Sequence, residues 1–179
     1  MAADKEKPWT AITYAQDFSD EGAALGPQTI LRLQRIVDAR KEGYNIKAVV
    51  LAGGIGPEKS LYPKQTQPFA NMMGEWLVKE GKFPPSDVYC SAEAWNCIEA
   101  TLEMVRLIKA NRLPQNVLVV STGHHIYPRM WTTWKLLCGG KSNWSLGFVP
   151  EWKGTYYLFH EWAGTVKYIP MALWYRDKV

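Results

Sequence analysis

Five short apolar runs alternate along this chain with longer segments of helical periodicity, and that alternation leaves few folds open to it. The runs are Trp9 to Ala15, Lys47 to Ala52, Val88 to Cys90, Asn116 to Ser121 and Ser145 to Val149. The second is apolar throughout its centre (Ala48, Val49, Val50, Leu51), as a strand covered by helices on both faces must be. Strand, helix and parallel strand in repetition is the βαβ arrangement.

The helical segments read as follows. From about Thr29 to Glu42, Ile30, Leu33, Ile36 and Val37 share a face, and Gly43 stops the helix. A second helix opens at Pro68, carries the stripe Phe69, Met72, Met73, Trp76 and Leu77, and stops at Gly81. A third runs from about Ala94 to Ala110 with Trp95, Ile98, Leu102, Val105 and Ile108 inward. A fourth, about Pro128 to Leu137, is broken by Gly139-Gly140, and a fifth, about Tyr156 to Lys167, closes the chain. The expectation is a single α/β domain over residues 1–179, a Rossmann-like three-layer sandwich whose mostly parallel central sheet has about five strands. Residues 155–179 form an aromatic-rich C-terminal helix and tail packing on it.

Composition excludes several classes. The net charge of +4 comes from basic and acidic residues interleaved along the chain, with no tract to mark a nucleic-acid surface. Cys90, Cys97 and Cys138 are odd in number and lack C-x-x-C spacing, so neither a disulfide framework nor a zinc site is expected. The start, MAADKEKPWT, has no apolar stretch behind its charges, and His160, Glu161, Lys167 and Pro170 interrupt the aromatic region from Tyr156 to Tyr175. The expected setting is cytoplasmic, without a membrane partner.

In an open parallel sheet the ligand binds outside the carboxyl ends of the strands. Four segments converge there: Asp17; Gly53-Gly54, whose amides could meet a polar ligand; Asn96 and Glu99; and Ser121-Thr122-Gly123-His124-His125 with Arg129. Of the adjacent histidines one faces the site, and His125 is favoured because it stands closer to Arg129. His125 is the candidate acid/base group, with Glu99 as its second member. Gly53, Gly54, Asn96, Ser121, Thr122, Gly123, His124 and Arg129 are the candidate ligand-binding residues. Glu99 and Asn96 can equally be a first-turn acid and a helix cap, and Arg129 a solvated helix residue. Asp17, Asp20 and Glu21 could hold a divalent ion, although a solvated loop is the commoner outcome, and no metal is predicted. His160-Glu161 reads as structural, and the nine tryptophans as core before pocket lining.

The stretches VVLAGG (49–54), EWLVKEGKFP (75–84), AWNCIEA (94–100), VVSTGHHIYPRM (119–130) and YLFHEWAGTVKY (157–168) follow one another in a telling order. In that order and spacing the chain resembles the YdcF, SanA and ElyC family over nearly its whole length. Asn96 and Glu99 match the family's S-x-N-T-x-E-N core, with Cys97 in place of its Thr, Ala100 in place of its second Asn and Ala94 in place of its Ser. Phe69 stands where the family has an acidic residue, and His125 and Arg129 match its His and Arg with one extra residue between them. The resemblance implies a Rossmann-like fold and S-adenosylmethionine or nucleotide binding, with envelope roles for anchored members. Three readings stay open: a hydrolase or transferase acting on a nucleotide-like or phosphorylated metabolite, a binding module for S-adenosylmethionine or a nucleoside, and an interaction partner, as in a homo-oligomer, using the aromatic C-terminal half.

Overall fold

The computed structural model describes residues 4–55, 62–94, 96–138, 144–151 and 158–176. Its strands are β1 (Trp9–Tyr14), β2 (Phe18–Ser19), β3 (Ala24–Leu25), β4 (Ile46–Ala52), β5 (Val88–Ser91), β6 (Asn116–Thr122) and β7 (Ser145–Glu151). Its helices are α1 (Pro27–Lys41), α2 (Phe69–Lys79), α3 (Cys97–Ala110), the single turn α4 (Gly123–His125), α5 (Trp131–Leu137) and α6 (Leu158–Tyr175). Five strands form one parallel sheet in the order β5-β4-β1-β6-β7, and β2 and β3 make a separate antiparallel hairpin. The expected α/β sandwich is therefore present, with the chain running outward from β1 through β4 to β5 and then crossing back to β6.

Residue alternation along each central strand divides the core in two. Ala11, Val49, Leu51, Leu118 and Val120 face α1 and α2, meeting Leu33, Ile36, Met73 and Leu77. Ile12, Val50, Val117 and Val119 face the other layer, meeting Ile98 and Ile108 of α3, Trp134 of α5 and Ala172 of α6. These side chains are buried, and each large one contributes roughly 1.5–3 kcal/mol by leaving water.

Two helices depart from the sequence reading. The expected helix from Pro128 begins earlier, as α4 directly after β6, and is interrupted at Tyr127, whose backbone (φ −112°, ψ 110°) is extended and whose bond to Pro128 is cis. The last helix runs on to Tyr175 with Pro170 inside it, because Ala172 is buried and Met171 and Tyr175 pack on the same core as Trp134. Trp95, Gly56 and the Gly139-Gly140 break lie outside the described residues. No helix among the described residues is long and apolar enough to cross a membrane.

Candidate active site

A cleft of about 210 Å³ opens at the carboxyl ends of β1 and β4, beside the first turn of α3. Its floor is Tyr14, Ala52 and Gly53, and one wall is Asn96, Cys97 and Ala100. The opposite wall is aromatic. Phe18, carried over by the β2–β3 hairpin, stacks on Phe69 at the start of α2, and Tyr62 meets both rings edge-on at 5.2 and 5.5 Å. Among the described residues, no charged side chain borders the cleft.

Behind Cys97 lies His125, buried to 7% exposure. Its Nδ1 is 2.8 Å from Ser121 Oγ, and its Nε2 is 3.6 Å from Cys97 Sγ. Tyr14 meets the imidazole edge-on, with ring centres 5.8 Å apart. The Tyr14 ring is fixed in turn by a chain of buried hydrogen bonds. The Trp134 indole N–H donates to the Tyr14 oxygen at 2.8 Å, Tyr14 bonds Thr101 Oγ1 at 2.7 Å, and Thr101 donates to the carbonyl of Cys97 at 2.6 Å. Because the Thr101 proton goes to Cys97, the Tyr14 hydroxyl is the donor to Thr101. Burial pushes the Tyr14 phenol far above its ordinary range, so it stays a neutral donor.

Asn96 caps α3: its Oδ1 accepts the amides of Ile98 and Glu99 at 3.1 and 3.0 Å. Asn96 thus both borders the cleft and fixes where the helix starts, placing Cys97 at its first residue. Glu99 is exposed and does not border the cleft, so the group beside His125 is Cys97 rather than the expected glutamate.

The double glycine sits in the cleft as expected, yet its amides are already used. Gly53 N–H donates to Ser91 O and Gly54 N–H to Ala94 O, each at 3.1 Å. The glycines are there for close passage of the chain. A Cβ on Gly54 would lie 2.9 Å from the carbonyl oxygen of Ala92, and one on Gly53 would lie 2.9 Å from the Ala15 Cβ.

The rest of the expected set is placed around the site. Ser121 holds His125, and Thr122 accepts a 3.0 Å bond from Arg32, which also donates to Tyr14 O. Arg32 was not singled out from the sequence, where it lies in a helix stripe, yet only 2% of it is exposed and it ties the ends of β1 and β6 together. Gly123 opens α4, His124 is half-buried, and Arg129 is buried with its guanidinium 5.6 Å from the Tyr168 ring. Asp17 caps α1, accepting the amides of Gln28 and Thr29, while Asp20 and Glu21 pair with Lys64. No group of three metal-ligating side chains occurs among the described residues.

Cys97 is the cleft residue that sequence reasoning passed over. The three thiols differ: Cys138 is buried, Cys90 bonds Ala70 O and is pushed up by burial, and Cys97 alone borders this cleft. No family model and no curated protein matches this chain, so its chemistry is read from this geometry.

Proposed function

We propose that this protein is a small-molecule hydrolase or transferase working in the cleft at the strand ends, with His125 as its acid/base group. The observation that carries this reading is a buried imidazole fixed on one nitrogen by Ser121 and turned with the other toward a cleft-lining thiol. A histidine so held has one ring nitrogen fixed and the other facing a partner, and can pass a proton to a bound molecule through its neighbour. The aromatic wall of Phe18, Tyr62 and Phe69 suits a planar ring, and among the described residues a lining without charged side chains favours a nucleoside-like ligand over a phosphorylated one. The likeness to the YdcF family points the same way, toward S-adenosylmethionine or a related nucleoside as ligand or co-substrate.

A thermal-shift panel tests this reading, with S-adenosylmethionine, its homocysteine product, adenosine, other nucleosides and inorganic phosphate, on wild type and His125→Ala. A nucleoside above its dissociation constant raises the melting temperature of the wild type by mass action. Stabilisation by phosphate alone overturns the ligand assignment, and turnover that survives His125→Ala overturns the catalytic one. Ligand recovered intact after prolonged incubation would make the protein a binding module.

A second reading, self-association, is supported by α6. Trp162, Val166, Ile169 and Leu173 recur at spacings of four, three and four, and all are exposed. An apolar seam of that spacing is what two copies of one helix meeting about a two-fold axis would bury.

A further inference from the structure

We propose that Cys97 is the nucleophile of this site, with His125 as its base, and that its substrate is a small ester or amide bearing a planar ring. The inference rests on the reading that the cleft is the reaction site. Three placements support it. The thiol lies on the cleft wall while the imidazole lies behind it, so a bound molecule meets sulfur first. The sulfur stands at the first residue of α3, where the helix end carries partial positive charge of the kind that steadies a thiolate. The Thr101 bond to the Cys97 carbonyl and the Asn96 cap hold the nucleophile's backbone still. The described lining offers no charged side chain to a phosphoryl group, whereas a neutral carbonyl carbon needs only the sulfur and a donor for its oxygen.

The step balances without any co-reactant but water. With Nδ1–H donating to Ser121, Nε2 takes the Cys97 proton and the sulfur attacks the carbonyl carbon. A C–S bond forms as the bond to the alcohol or amine breaks, and the proton on Nε2 leaves with that group. Water then adds to the thioester, giving one proton to Nε2. The C–S bond breaks, the carboxylic acid departs, and the proton returns to sulfur.

Two probes on the full chain test this: p-nitrophenyl acetate and iodoacetamide. The expected result is a stoichiometric burst of p-nitrophenol with the acetyl group mapped to Cys97. Iodoacetamide at neutral pH should label Cys97 at least about tenfold faster than Cys90, which serves as internal reference. His125→Gln should lower the Cys97 rate by roughly tenfold or more and leave the Cys90 rate unchanged. Equal labelling of Cys97 and Cys90 in wild type, or acetyl found elsewhere or nowhere, overturns the proposal without need of a variant. Cys97→Ser should abolish acetylation and keep the nucleoside-induced thermal shift. A wild type that shows the thermal shift but no acylation sinks the nucleophile, whereas absence of the thermal shift in wild type sinks the cleft reading beneath it.

Discussion

Tyr14 links the core to the site, and its phenol has a stability signature. In the unfolded chain it ionises near pH 10, while in the folded protein burial keeps it neutral to much higher pH. The folded-state pKa is raised, so the stabilisation is complete below about pH 10 and declines above it, by roughly 1.4 kcal/mol per pH unit. Denaturant titrations between neutral and strongly alkaline pH should show this slope, and Tyr14→Phe should remove it. The same variant leaves the Trp134 N–H without its acceptor and should cost about 1–3 kcal/mol at neutral pH. Gly54→Ala should cost a similar ~1–3 kcal/mol in urea unfolding, because the atoms its Cβ meets are backbone carbonyls that cannot step aside. At this scale the sequence was readable in part. His125 and Asn96 stand out because one is a rare titratable residue after a strong strand and the other precedes a helical run. Cys97 and Arg32 do not, because a lone thiol at a helix start and an arginine in a helix look ordinary until the fold brings Ser121, His125 and Thr122 beside them. The amides of Gly53-Gly54 were misjudged for a related reason: the carbonyls they bond belong to the last residue of β5 and to the β5–α3 connection, a pairing which no local pattern announces.

Helix α6 is the element whose sequence and structure agree least. A proline inside a helix removes a backbone bond and commonly ends the helix, yet α6 contains Pro170 and runs past the expected end at Lys167. Packing of Ala172, Met171 and Tyr175 outweighs that loss. Replacing the exposed Pro170 by alanine should therefore raise unfolding stability by about 1–3 kcal/mol, read from the urea midpoint at constant slope. The outer face of the same helix offers a separate test. If two copies meet through Trp162, Val166, Ile169 and Leu173, light scattering will find a dimer that Trp162→Glu with Leu173→Glu converts to monomer. A wild type that stays monomeric on concentration refutes the pairing. Strands were easier to read than this helix, since unbroken apolar runs covered on both faces leave little choice of state, and observed ends differ from expected ones by a residue or two.

Across the whole molecule, the strand order and direction explain why the cleft is where it is. The strands are parallel, so the segments that follow β1, β4 and β5 all leave from one edge of the sheet, and the cleft opens there between the ends of β1 and β4 and the start of α3, one strand away from the reversal between β1 and β6. That location was legible from the alternation alone, while the aromatic wall was not, because Phe18, Tyr62 and Phe69 come from three separate segments. The same order bears on how the protein is made. The central strand β1 is synthesised first, and it can pair with β4 early, but its other edge waits for Val117–Val119 of β6. A chain emerging from the ribosome therefore carries an open, apolar strand edge through the making of two more helices, the condition under which unfinished sheets join to one another. A polypeptide ended at Ala110 should accordingly aggregate on release, and binding by a holdase chaperone should be strongest at lengths just short of β6.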